Sequence, residues 1–223
     1  MRIITADSNG PDRKRLACQS VFRPLNGSSG HARENTVGVG QRDACDPVNK
    51  TMDTDLSYPI GKFDLNNFAD RDQNLKTIGE LPSRIAAAVD GLSVMQIDTP
   101  YRPGGWTVRQ TVHHVADSHM NSLIRFKLAL TEDEPPTIRP YYEDRWAELS
   151  DSKLPVEISL GLIDAIHMRW MALLISMSEA DFQKTFIHPE TGPWTLDGAL
   201  ALYAWHSLHH TAHLTRLRDR ESW

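Results

Sequence analysis

From Thr195 to Arg220 the chain reads TLDGALALYAWHSLHHTAHLTRLRDR. It has no proline, its apolar residues recur at helical spacing, and four histidines fall within eight residues: His206, His209, His210 and His213. Such a stretch is stable as a long helix with one face against a core. Take about 100° per residue and set His206 to zero. His210 then lies at about +40°, His213 at about −20° and His209 at about −60°. Leu196, Ala199, Tyr203, Leu214 and Leu217 fall between roughly +20° and roughly +80°. His206 and His210 therefore stand nearer the core-facing stripe than His209 and His213. Two imidazoles on a buried seam lose solvation unless each finds a partner, and one metal ion is a partner for both. A third ligand then has to come from another helix, and the pair His113–His114 is on offer. Three histidines with a fourth position open to water is the arrangement of a catalytic zinc rather than a structural one.

The rest of the chain is also helical in pattern. Residues 72–90 form a first helix that ends near Gly91, with Pro82 inside it as a kink or break. Thr107 with Gln110 reads as a capping box that opens a second helix through Thr131. EDEPPTIRPYYEDRW is a proline-rich connection with one helical turn. A third helix covers 157–177, a short helix lies around SEADFQ, and FIHPETGPW is a loop. Thr195 caps the last helix. Four long helices and no convincing strand predict an all-α four-helix bundle.

The two ends of the sequence differ in composition. Residues 1–55 include NGSSGHARENTVGVGQRDACDPVNKT, rich in Gly, Ser, Asn and charge and without an apolar period. This stretch is read as a disordered extension, or as no part of the native protein with Met52 the true start, and 56–223 as the helical domain. A chain begun at Met52 is expected to fold and bind metal as well as the full chain. A melting temperature lower by more than a few degrees would show instead that the extension packs on the bundle.

A net charge of −5 and the lack of a basic stripe argue against a nucleic-acid partner. No apolar run approaches the ~18 residues of a membrane span, and the first residues lack the apolar core of a signal peptide. The expectation is a cytoplasmic protein that acts on a small molecule. Cys18 and Cys45 are the two cysteines. Any metal is therefore held by nitrogen and oxygen ligands.

On the second helix, set His114 to zero. Val108, Val112, Val115, Leu123, Phe126 and Leu130 then cluster around a direction of roughly +135°. His119 lies within that stripe and His114 does not. Periodicity chooses His119 as the core histidine. His114 belongs to a second stripe with Ser118, Asn121 and Arg125, either a solvated face or the polar wall of a pocket, and the bare pattern favours solvent. His113, His209 and His213 read as surface groups or as neighbours of the ligands. Asp117, one turn from His113 and His114, either orients an imidazole or is solvated. Trp106, Trp146, Trp170, Tyr203 and Trp205 read as packing residues.

LSYPIGKF, DTPYRPGGWTVRQTVHHVADSHMNSLIRFKLALTE, IRPYYEDRW and LALYAWHSLHHTAHL together resemble the YfiT-type metal-dependent hydrolases of the DinB-like superfamily of four-helix metalloproteins. The resemblance runs from about residue 55 to the C-terminus. It implies one divalent ion per chain, zinc or nickel, held by His114, His206 and His210, and it implies a homodimer. It turns the polar stripe into a pocket wall, with Ser118, Asn121 and Arg125 as candidates to face the substrate. The chain departs from the family pattern at Leu208, where a further histidine is common. That position is not a ligand.

The family is described by an open metal site, and some members of the superfamily are thiol S-transferases that use bacillithiol or a similar low-molecular-weight thiol. Three readings follow: a metal-dependent hydrolase, a thiol S-transferase, and a metal-binding stress protein without turnover. A protease of the HExxH type is disfavoured, because Ser207 follows His206 and no glutamate stands ready as a base.

Overall fold

The structure is a computed structural model that describes residues 55–67 and 70–223. The expected disordered extension over 1–55 lies, but for Asp55, outside the described residues. Four long helices, α1 (Arg71–Val89), α3 (Val108–Thr131), α5 (Val156–Ser176) and α7 (Leu196–Glu221), form the bundle. Three four-residue helices, α2 (Val94–Ile97), α4 (Glu143–Trp146) and α6 (Glu179–Phe182), sit in the connections. The α1 helix packs on α7 and α5, and α3 packs on α5 and α7. Consecutive long helices α1 and α3 therefore occupy opposite corners, as do α5 and α7.

The helices start where short polar side chains supply the missing acceptors. The Thr107 hydroxyl accepts from the Gln110 N–H at 3.1 Å, and the Gln110 side chain accepts from the Thr107 N–H at 3.0 Å, the expected capping box. Thr195 accepts from Gly198 N–H, and Asp70 from Gln73 N–H. Each such cap is worth about 1 kcal/mol. The α1 helix ends one residue before its cap Asp90, and Gly91 then turns the chain at φ +72°. No break occurs at Pro82, through which α1 runs continuously.

The segment expected as a loop after α6 contains a β-hairpin. Strands β1 (Thr185–His188) and β2 (Gly192–Thr195) pair antiparallel, with Phe186 opposite Trp194 and His188 opposite Gly192. Two strands of four residues, broken by Pro189 and Pro193, leave too short an alternation to read. The alternation exists, since Phe186 and His188 are buried while their neighbours are half-buried. Ile187 also bridges to Thr137, which fastens the proline-rich connection to the hairpin. Gly192 makes the turn at φ +80°.

The core has two parts. One gathers Ile78, Phe126, Trp170, Leu174, Leu196 and Leu200, with the Phe126 and Trp170 rings edge-to-face at 5.3 Å. The other gathers Leu81, Ile85, Val112, Val115, Ile163, Leu214 and Leu217. Each buried Leu, Ile or Phe contributes about 1.5–3 kcal/mol. Along α7 the first part uses residues 196–204 and the second 214–217. The histidines fall between, so a polar layer crosses the bundle between two apolar ones.

By length and composition alone α5 would cross a membrane. The expectation of no such segment passed over it because Asp164, His167 and Arg169 interrupt its apolar run. Its face of Ile163, Ile166, His167, Trp170 and Leu174 is buried in the bundle, while Ile158, Met168 and Ile175 are exposed.

Candidate metal centre

The three histidines that the sequence singles out converge from two helices. His114 comes from α3, and His206 and His210 come from successive turns of α7. All are buried, and their ligand nitrogens lie within 4.8 Å of one another. His114 Nε2 stands 3.2 Å from His206 Nε2. Two nitrogens bound to one tetrahedral zinc at about 2.05 Å are about 3.3 Å apart, so the spacing suits a shared ion. An N–H···N hydrogen bond would suit it too. His210 supplies a separate observation. It is 2 % exposed, and among the described residues neither of its ring nitrogens has a hydrogen-bond partner. A buried unsatisfied polar atom costs about 1–3 kcal/mol, and His210 carries two. These donors fit a divalent ion.

The electrostatics prepare the same chemistry. Burial pushes His114 down to about 3, with a smaller push from His209. Burial also holds His206 and His210 well below the usual histidine range, helped by neighbouring imidazoles. All three are neutral at pH 7, the form that binds a metal.

His209, His210 and His213 form a second close group of buried ligand nitrogens, sharing His210. Neither His209 nor His213 is on the surface. The His209 ring stacks on Trp205 at 4.4 Å and 19°, and His213 stacks on Tyr101 at 3.9 Å and 16°. His213 Nε2 also lies 3.4 Å from the Ser57 carbonyl, and its Nδ1 is left without a partner among the described residues.

His114 is buried, against the solvent position its stripe suggested, because Trp106 covers it at 4.5 Å. That stripe does form a wall. A cavity of about 390 Å³ is lined by His114, Ser118, Arg125, Tyr203, Trp205 and His206 from the bundle. Its outer rim is Arg139–Glu143 and His188–Glu190. Arg125 is 7 % exposed, and its Nη1 donates to the Tyr203 hydroxyl at 3.2 Å. Among the described residues no carboxylate pairs with it. Asn121 does not line the cavity, because its side-chain amide donates to the Asp117 carbonyl at 2.8 Å.

His113 faces away and ties α3 to the start of α5, 2.6 Å from Ser159 Oγ and 3.0 Å from the Leu154 carbonyl. Burial, then Asp151, raises the Asp117 carboxyl to about 6. Trp170, Tyr203 and Trp205 are buried as expected, Trp106 and Trp146 half-buried, and Tyr203 and Trp205 serve the cavity as well.

Two histidines escaped the sequence reading. His167 on α5 lies 3.0 Å from His119, which in turn lies 3.1 Å from His206. A signal existed, since His167 stands four residues after Ile163 and three before Trp170, on the buried face. His188 entered with the unread hairpin.

Known proteins share both the sequence and the helix arrangement. The profile of the DinB superfamily matches residues 78–214. A protein of Bacillus mycoides named "Putative metal-dependent hydrolase" is 56% identical over 172 residues, covering 76% of this chain and 99% of its own. A Bacillus cereus protein of the same name is likewise 56% identical with the same coverage. The solved structure of YfiT from Bacillus subtilis is described as "a probable metal-dependent hydrolase with an unusual four-helix bundle topology". It superposes with a TM-score of 0.72 at 49% identity, covering 75% of this chain and 98% of YfiT. With fold, helix arrangement and sequence in accord, this chain belongs to the DinB superfamily.

Proposed function

We propose that the protein is a metal-dependent hydrolase that binds one divalent ion, zinc first and nickel second, through His114, His206 and His210. The observation that carries this reading is His210, buried with both nitrogens unsatisfied among the described residues, beside two further neutral imidazoles. An ion held by His114, His206 and His210 would supply Lewis-acid chemistry to the cavity. The chain's own residues do the rest. Trp106 excludes water from the back of His114. Ser118 offers a hydroxyl to the cavity.

Arg125 holds its guanidinium in the cavity, where among the described residues a tyrosine hydroxyl receives it and no carboxylate does. A buried cation without a carboxylate is a site for an anionic group. The substrate of this reading carries a carboxylate or phosphate. The same cation supports the second reading, a thiol S-transferase, because small biological thiols carry carboxylates.

The test is elemental analysis of the purified full chain, followed by turnover of carboxylate-bearing esters and amides with and without a small thiol. The hydrolase works with water alone, and the transferase is idle until thiol is added. Failure to take up any divalent metal overturns both, and metal uptake without turnover leaves the metal-binding stress protein. Arg125→Ala is expected to raise the Michaelis constant for the anionic partner about 10–100-fold, the loss of a charged hydrogen bond. Metal content should stay within error. A constant that does not move removes Arg125 from substrate binding.

A further inference from the structure

His206 is the first link of a chain of hydrogen bonds that passes through all four long helices. His206 Nδ1 on α7 lies 3.1 Å from His119 Nε2 on α3. His119 Nδ1 lies 3.0 Å from His167 Nε2 on α5. His167 Nδ1 lies 2.8 Å from the Ile78 carbonyl on α1. That carbonyl is open for a reason found in the sequence. Its helical partner would be the N–H of the residue four positions on, which is Pro82, and proline has none. Pro82, unbroken helix around it, exposes an acceptor to the centre of the bundle.

The acceptor dictates every proton behind it. A carbonyl only accepts, so His167 Nδ1 carries a proton and donates. A neutral imidazole has one proton, so His167 Nε2 accepts, and His119 Nδ1 must donate to it. His119 Nε2 then accepts from His206 Nδ1–H. What remains on His206 is the lone pair of Nε2, at the atom 3.2 Å from His114 Nε2. His119 is 0 % exposed and His167 2 %, so the chain runs wholly inside the bundle.

We propose that His119 and His167 are positioning residues that, anchored on the Ile78 carbonyl freed by Pro82, lock His206 as the Nδ1–H tautomer with its Nε2 lone pair aimed at the metal. The proposal rests on the metal reading above. Partners in a second layer commonly fix the tautomer and ring angle of a ligating histidine, and their loss costs about 10–100-fold in affinity. Here that layer is two imidazoles deep and ends on backbone. A chain that ends on a carbonyl cannot deliver protons to solvent, so its work is orientation.

The experiment is long-range nitrogen-15 NMR of the imidazoles in the metal-free full chain at pH 7.5. His119, His167 and His206 are each expected as the Nδ1–H form, the less common tautomer of a free histidine in water. An Nε2–H form at any of the three overturns the chain. Zinc dissociation constants are then measured by chelator competition for two variants. His167→Phe removes the acceptor and should weaken zinc about 10–100-fold. His167→Gln keeps an oxygen that can receive the His119 proton and should stay within about threefold of the parent chain. Equal losses in both variants, or none in His167→Phe, overturn the positioning role. If His167→Phe does not fold, the tautomers of the parent chain still decide. If the parent chain takes up no zinc, the metal reading fails, and the tautomer pattern reports on the chain by itself.

Discussion

His114→Ala and His206→Ala each lose at least about 100-fold in metal affinity, while His209→Ala and His213→Ala keep theirs within a few-fold. A ligand's loss costs more than the roughly 10–100-fold typical of a residue that merely supports one. His210→Ala loses metal as well, but it belongs to both groups of close histidines and cannot separate them. The four other variants can. The His114 group is favoured because two of its nitrogens already stand at a shared-ligand spacing and because it opens onto the cavity. His209 and His213 stack on Trp205 and Tyr101, though each keeps a buried Nδ1 without a partner among the described residues. Removing either ring trims that packing and lowers the melting temperature by several degrees without emptying the site. Chelator competition on the purified variants decides. Retention in His114→Ala with loss in His213→Ala moves the ion to the other group.

The metal-free chain unfolds on mild acidification. Burial holds His114 down to about 3, His167 and His209 to about 4, and His213 to about 2. The unfolded chain takes up protons on these residues near the ordinary 6.5, so below that pH it binds more protons than the folded one. Stability therefore falls as pH falls, from 6.5 down to each folded value. Between pH 7 and 5 each of the four costs about 2 kcal/mol, together on the order of 8 kcal/mol, comparable to the whole stability of an ordinary domain. His119, His206 and His210 push the same way. Asp117, raised to about 6, opposes because its protonated form favours the folded chain. Half-exposed and screened by water, it offsets at most about 1 kcal/mol. Urea titrations at pH 7, 6 and 5 measure the slope, and a stability that is flat over that range contradicts the neutral, buried state of the cluster. Bound metal delays the loss, since protons must then displace it from its ligands.

The helices were legible because their signals are local. Thr107 with Gln110, Thr195 and the apolar spacing of α3 and α7 act within a turn or two. The angle of His206 and His210 on α7 was legible for the same reason. His114 was not, because a stripe of His, Ser, Asn and Arg looks the same whether it meets water or a cavity, and only the resemblance chose it. Trp106, which closes over it, lies beyond the helix. The link from His119 to His167 joins residues 48 positions apart, and nothing near either one names the other. Pro82 reads as a fault in a helix, when its consequence is a carbonyl offered to a residue 89 positions away. The hairpin failed for want of length.

The cavity is built from two kinds of chain, and that division has an evolutionary consequence. Its floor, with His114, Arg125, Tyr203 and His206, belongs to long helices whose every turn is committed to the bundle. Its rim, Arg139–Glu143 and His188–Glu190, belongs to a proline-rich connection and a hairpin tip that lean on each other through Thr137 and Ile187. Substitutions in the floor fall on buried positions of the bundle. The rim segments hold none of His114, His206 and His210. A lineage can therefore reshape the cavity by rewriting two short segments while the three proposed ligands stay in place on the long helices.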